Sequence, residues 1–241
     1  MKKLIKMIVR ETLKAFNLKL SLYDKAKPRY IKAIESFGIN VIFDVGANSG
    51  QFALEVLKYD YRGRIISFEP TSEIYNTLQR NSNKFTNWVV HERAAVGEKC
   101  GTVVINVAGN SAASSSVLSM GKTHQEAAPD ANFISSENVP LITLDSIFNN
   151  YVSGISKCLL KIDVQGYEEQ VLTGALASLK EVDAVKLECS LVTLYEGDKT
   201  FEFYFDFFKE NGFELFDIEP GFSNPVNGRL LQFDALFIKN I

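Results

Sequence analysis

The chain is predicted to fold as an α/β protein, an open doubly wound sheet with helices on both faces. Three segments predict it. Val41-Ile-Phe-Asp-Val-Gly-Ala-Asn-Ser-Gly50 is an apolar run that stops at an acid and a glycine-spaced turn. Residues 64–68 form a second apolar run, ended by Glu69, and Leu159-Leu-Lys-Ile-Asp-Val-Gln-Gly-Tyr-Glu168 repeats the order of strand, acid and glycine. Short β-branched runs of this kind read as buried parallel strands, and the segments that follow them have helical periodicity.

The elements follow in chain order. Leu4, Ile5, Ile8, Val9, Leu13, Phe16 and Leu20 recur at helical spacing among lysines, which describes an amphipathic helix with a basic flank. It reads either as a membrane-surface anchor or, the blander reading and the one favoured, as a helix packed on the rest of the chain or on a twin subunit with its lysines solvated. Pro28 opens a second short helix with the apolar face Tyr30, Ile31, Ile34 and Phe37, closed by Gly38. Residues 1–38 are therefore taken as a basic helical extension and 39–241 as the main domain. Strand 41–45 leads to helix 51–58, strand 64–68 to a helix from 72 to about 81, and a third strand is expected over 88–96. Residues 102–107 alternate with period two and read as an extra strand. Residues 109–132, with Ser111, Ser114, Ser115, Ser116 and His124, read as a long lid or substrate loop. Strand 139–142, helix 144–149, strand 159–163, a helix to about 179, strand 184–190, helix 200–211 and a closing pair of strands, 213–218 and 231–239, complete the order. The phenylalanines of that closing pair are assigned to the core.

The 241 residues suffice for a full core. A formal charge of −3 and a pI near 5.6 give no case for nucleic acid. Cys100, Cys158 and Cys189 have neither metal nor redox spacing, so a reducing cytoplasm fits. No apolar run is as long as a membrane span, and the first 16 residues are too broken by charge for a secretory signal.

The site is read from the strand ends. Glycines at 46 and 50 allow close backbone approach, free N–H groups are expected at the helix start, and Glu69 can accept two hydrogen bonds from a ribose diol. A dinucleotide turn needs a third glycine that Gly46-Ala47-Asn48-Ser49-Gly50 lacks, and Asp44 would repel a pyrophosphate. The same acid suits a ligand with an ammonium and a sulfonium, so S-adenosylmethionine is favoured over NAD(P) and over a turn with no ligand. Asp44, Glu69, Asp163 and Glu188 are expected on one rim, because ligands bind at the carboxyl ends of such strands.

Asp44-Val-Gly-Ala-Asn-Ser-Gly50, Phe68-Glu-Pro70, Ala94-Ala-Val-Gly97, Thr143-Leu-Asp145, Leu160-Lys-Ile-Asp-Val-Gln-Gly-Tyr-Glu168 and Gln232-Phe-Asp-Ala-Leu-Phe237 together resemble the FkbM family of S-adenosylmethionine-dependent methyltransferases. The resemblance runs from about residue 40 to 239 and does not reach the residues before 38. It implies a Rossmann-like seven-stranded sheet of the class I methyltransferases with the last strand antiparallel, and methylation of a hydroxyl oxygen. Members act on sugars of surface glycans or on hydroxyls of secondary metabolites.

An alcohol needs a partner to take its proton as the methyl bond forms. Asp163 is the first candidate, its alternative being to hold the methionine amino group or order the next turn. His124 is the second, on a loop that could close over substrate. Glu188 with Ser190 could bind sugar hydroxyls, Tyr167 or Tyr195 could stack on a sugar ring, and Asp163, Glu168 and Glu188 could instead ligate Mg²⁺, the less favoured option. Asp44, Gly46, Ala47, Asn48 and Gly50 are assigned to the methionine end of the cofactor, Glu69 to its ribose, and the backbone near Arg93 and Ala94 to the adenine edge. Two rivals from other classes are a nicotinamide oxidoreductase, weakened because Val171 stands where a lysine partner of Tyr167 would be, and a non-catalytic membrane-surface protein resting on the N-terminal helix. The expected substrate is a hydroxyl-bearing small molecule or glycan, with a peripheral membrane contact and a homodimer left open.

Overall fold

The computed structural model describes residues 27–239; the amphipathic segment over residues 4–20 lies outside them. The first described helix, α1 (Arg29–Ser36), buries Tyr30, Ile31, Ala33 and Ile34. It stops at Gly38, whose φ of +65° is left-handed backbone that glycine adopts without penalty. Next come β1 (Val41–Val45), α2 (Gln51–Lys58), β2 (Arg64–Phe68), α3 (Ser72–Ser82), β3 (Trp88–Val90) and β4 (Ala95–Val96). Then follow β5 (Gly101–Ala108), α4 (Lys122–Ala127), β6 (Phe133–Ile142), α5 (Leu144–Ile147) and β7 (Cys158–Ile162). The chain ends through α6 (Glu168–Thr173), β8 (Ala184–Ser190), α7 (Phe201–Glu210), β9 (Phe213–Pro220) and β10 (Gln232–Lys239).

Seven strands form one sheet in the order β3-β2-β1-β7-β8-β10-β9. Pairings β3–β2, β2–β1, β1–β7 and β7–β8 are parallel, while β10 runs antiparallel to both β8 and β9. The strand order reverses beside β1, so β1 and β7 flank the switch point where a crevice opens at their carboxyl ends. This is the predicted Rossmann-like sheet with an antiparallel last strand.

Both sheet faces are covered, which is why β1 is buried at all five positions. Phe43, Val45, Leu160, Ile162 and Leu187 face α6 and α7, against Val171, Leu172, Tyr204 and Phe208. Ile42, Ile65, Leu159 and Ala184 face α1 and α2, against Tyr30, Ile34, Ala53 and Val56. Each such side chain contributes about 1.5–3 kcal/mol on burial.

Four expectations are corrected. The third strand stops at Val90, because residues 91–94 turn the chain away and Ala95–Val96 joins a second sheet, β4-β6-β5. The loop over 109–132 is not structureless: it holds α4 and a 3₁₀ turn, Pro129–Ala131. The helices expected to reach 149 and 179 are α5 and α6 followed by 3₁₀ turns, Phe148–Asn150 and Ser178–Lys180. Phe213, Phe233 and Phe237 are core, but Phe216 on the edge strand is exposed.

Candidate functional site

The crevice at the switch point is a cavity of about 390 Å³, within the range of roughly 300–1,000 Å³ usual for ligand sites. One lobe is largely apolar, walled by Phe68, Ala94, Ala95, Val96, Ile105 and Val117. Glu69 and Asp163 stand on the wall beyond it.

The turn after β1 is held entirely by its own chain. Gly46 and Ala47 donate their N–H groups to Phe68 O at 3.1 and 3.0 Å, and Gly50 donates to Ala47 O at 2.9 Å. Asn48 N donates to Glu69 Oε2 at 2.9 Å, and Ser49 N to Asn48 Oδ1 at 2.6 Å. The amides of residues 46–50 are thus engaged within the protein, and the helix-start N–H groups of Gln51, Phe52 and Ala53 are those left to the expectation of free donors. Gly46 is glycine for a different reason: with φ +74°, a Cβ would sit 1.8 Å from Asp163 O, so the ends of β1 and β7 touch through it. Gly50, φ +93°, abuts Trp88 rather than the cavity.

Glu69 is 6% exposed; its Oε1 accepts from Thr71 N at 2.9 Å and Thr71 Oγ1 at 2.6 Å. Burial raises its pKa, against the lowering effect of these bonds. It thus splints the turn after β1 to the turn after β2 while facing the cavity.

Beneath the wall runs a buried polar chain. Trp88 Nε1 donates to Ser67 Oγ at 2.9 Å, and Ser67 Oγ donates to Asp44 Oδ2 at 3.1 Å. Lys161 Nζ lies 3.2 Å from Asp44 Oδ1 and 3.4 Å from Asp163 Oδ2, and donates to Gly46 O at 2.8 Å. Burial opposes the lysine charge, but Asp163 and Asp44 outweigh it and hold the pKa above the ordinary value. Asp163 itself is about one-third exposed, its Oδ1 accepting from Gln165 Nε2 at 2.8 Å.

The sequence profile of the methyltransferase FkbM domain matches residues 44–215. The chain belongs to the FkbM methyltransferase family. Among solved structures, it is similar to TehB from Haemophilus influenzae, at 8% identity and a TM-score of 0.50 over 91% of this chain and 64% of that one. It is also similar to magnesium protoporphyrin IX methyltransferase (ChlM) from Synechocystis PCC 6803 with bound SAM, at 7% identity and a TM-score of 0.48 over 88% and 76%. At such identities the likeness concerns the fold. No curated protein sequence matches the chain.

The cofactor of an FkbM methyltransferase is S-adenosylmethionine, and the donor set fits it. The lobe around Ala94 and Ile105 suits a flat base, and Glu69 keeps carboxylate lone pairs on the wall for a diol. The turn itself, residues 46–50, has its amides engaged and does not offer them to the phosphates of a dinucleotide.

Several sequence-predicted residues of this FkbM methyltransferase stand elsewhere than expected. Gly46, Ala47, Asn48, Glu69, Ala94 and Asp163 line the cavity. Asp44 does not reach the wall; it is wholly buried behind it and neutralised by Lys161. Arg93 is not on the wall either, because Nη1 donates to Pro70 O and Glu137 Oε2, each at 2.9 Å. His124 is corrected most plainly: α4 packs it at 2% exposure against Tyr195 and Phe222, away from the cavity, and burial lowers its pKa. Glu188 lies behind the wall, its Oε2 accepting from Gln165 Nε2 at 2.6 Å and Gln232 Nε2 at 3.0 Å; burial, with Asp163, Glu168 and Asp234 nearby, raises its pKa well above the ordinary value. Tyr195 is fully buried and cannot stack on a sugar, whereas Tyr167 lines the cavity. Glu168 Oε1 accepts from Val164 N and Gly166 N, both at 3.1 Å, and no three acids, histidines or cysteines among the described residues form a metal group.

Lys161, Gln165 and Lys186 were not among the residues singled out, and Tyr30 was read only as part of an apolar helix face. A lysine inside each apolar run, 159–162 and 184–187, was the available signal, and the two are register partners across β7 and β8. Gln165 holds a left-handed φ of +57° before Gly166, a conformation that costs a non-glycine residue about 1–3 kcal/mol and marks a tightly determined turn.

Proposed function

We propose that this FkbM methyltransferase transfers the methyl group of S-adenosylmethionine to a hydroxyl oxygen of a sugar in a glycan or glycoconjugate. The observation that carries the proposal is Asp163, a carboxylate on the cavity wall whose Oδ1 is fixed by Gln165 while Oδ2 faces only the ammonium of Lys161 at 3.4 Å. Bound S-adenosylmethionine supplies a methyl on a positively charged sulfur, open to displacement by an oxygen in line with it. Asp163 Oδ2 takes the proton of the attacking hydroxyl as the new bond forms. Gln165 fixes the carboxylate plane, and its own Oε1 accepts from Tyr195 Oη at 2.8 Å, so the base is held by a buried anchor. This placement supplies alignment, the larger part of catalysis in such a displacement.

Residues 112–117 form the roof: Ala112, Ala113, Ser115 and Val117 line the cavity. Ser116 Oγ donates to Gln165 O at 2.6 Å, and Asn48 Nδ2 to Ser111 O at 3.4 Å. The roof is thus tied to both strand-end turns and keeps water from the methyl. That the segment serves substrate was the sequence expectation, and its place over the cavity supports it.

Calorimetric titration with S-adenosylhomocysteine and a methyl-transfer assay test the proposal. Asp163→Asn is expected to keep its affinity for S-adenosylhomocysteine and to lose about 10²–10⁴ in kcat/KM, the span of general-base assistance. A rate within twofold of the parent would remove Asp163 from this role.

A further inference from the structure

The cavity has a second lobe that the cofactor assignment does not use. It opens on the α1 and α2 side of the sheet and is lined by Tyr30, Glu55, Lys186, Glu219 and Asp234. These side chains come from five elements, α1, α2, β8, β9 and β10, three of them strands beyond the switch point.

Its charges are not balanced. Lys186 is buried and paired with Asp234, lies 4.0 Å from Glu219, and sits over the Tyr30 ring at 5.3 Å. Its ammonium is thus engaged by two acids and an aromatic face. Asp234 and Glu219 keep 40% and 30% of their side-chain surface exposed, so their remaining lone pairs face the lobe. With Glu55, Glu69 and Asp163, five carboxylates line the cavity against Lys161 and Lys186, and the lining is net negative. Arg29 is turned to other partners, donating to Asp217 Oδ2 at 2.9 Å and to Ile218 O at 2.8 Å. Tyr30 Oη is buried and lines the same lobe, with the Glu55 carboxylate as its neighbouring acceptor and no bond of ideal geometry to it.

We propose that this lobe is the acceptor subsite and that it selects by charge: it takes a sugar ring that is uncharged or carries an amine, and rejects one carrying a carboxylate, sulfate or phosphate. Asp234 and Glu219 accept hydrogen bonds from ring hydroxyls or an ammonium, beside the ring of Tyr30. An anion would lie against a wall with more carboxylates than cations, in a site partly removed from water, where like charges repel strongly. The inference rests on the sugar-hydroxyl proposal above and deepens it.

The test is methyl transfer from labelled S-adenosylmethionine to matched methyl glycosides in three forms: neutral, amino-substituted and uronic acid. The parent enzyme and the double variant Asp234→Asn/Glu219→Gln are compared, with S-adenosylhomocysteine binding as the control for folding. The neutral and amino forms are expected to exceed the uronic acid by at least about 100-fold in kcat/KM, and the double variant to narrow that gap at least about tenfold. A parent that prefers the uronic acid, or a gap unchanged in the variant, overturns the charge selection while leaving sugar methylation standing. No transfer to any form by protein that binds S-adenosylhomocysteine overturns the sugar acceptor itself, and the subsite with it.

Discussion

Lys161 holds its ammonium 3.2 Å from the carboxylate of Asp44, a residue with no exposed surface, and the pair bridges β1 to β7 across the switch point of the sheet. The same ammonium reaches Gly46 O at 2.8 Å and Asp163 at 3.4 Å. One cation therefore fixes the turn after β1 and faces the carboxylate proposed as base. The motif acid Asp44 acts from behind the wall, through this lysine, rather than on a ligand.

Removing one member of such a pair strands the other. Lys161→Met is expected to lower stability by about 3–5 kcal/mol, because the Asp44 charge is left buried with only Ser67 for company. Adding Asp44→Asn to Lys161→Met should recover more than half of that loss, since the uncompensated charge is gone. Urea unfolding of the two single variants and the double measures the coupling. A loss below about 1 kcal/mol for Lys161→Met would mean that water reaches the pair and screens it.

Gly46 and Gly38 make a matched test of close approach. Both have positive φ, +74° and +65°, but a Cβ at 46 would strike the backbone of Asp163 whereas one at 38 meets nothing within 4 Å. Gly38→Ala should cost about 1 kcal/mol, the conformational part alone. Gly46→Ala carries in addition an overpacking cost of about 1–3 kcal/mol, and it should displace Asp163 and reduce methyl transfer. Equal melting temperatures for the two variants would show that the strand ends can part without penalty.

The sheet was legible because its strands are short, β-branched and buried on both faces, so the runs at 41–45, 64–68 and 159–162 admit few other readings. The turn glycines, Glu69 and Asp163 were legible from their places at strand ends. What the sequence pattern did not carry was direction. Asp44 and Glu69 each end an apolar run, yet pairing puts Asp44 in register with Ser67 and Lys161 one row below the rim, and only the sheet's register shows that the charge is already matched. His124 misled because its neighbours are polar and small. The apolar partners that bury it, Tyr195 and Phe222, are distant in the chain, and long-range packing of this sort leaves no local periodicity. The engagement of the turn's first amides was hidden for a similar reason: the acceptor for Gly46 and Ala47, Phe68 O, belongs to the neighbouring strand.

Glu168 gives the chain a pH-dependent stability whose sign can be worked out. Burial pushes its pKa up to about 7, against 4.5 when unperturbed, even though the N–H groups of Val164 and Gly166 stabilise the charged form. The folded state therefore holds this proton more tightly than the unfolded chain. Stability is highest while both states are protonated, below about pH 4.5, and falls as pH rises toward 7, where the buried group must ionise; above that the loss is constant at up to about 3 kcal/mol. Glu69 and Glu188 are raised in the same direction, so the parent protein alone does not isolate the effect. Glu168→Gln does, because an amide keeps an oxygen for the two N–H donors and cannot ionise. Urea unfolding at about pH 5 and about pH 8 should show parent and variant close at the lower pH and the variant gaining on the parent at the higher. A difference between them that is the same at both pH values would mean that the Glu168 carboxyl titrates alike in folded and unfolded chains, and that the turn from Val164 to Gly166 already compensates its burial.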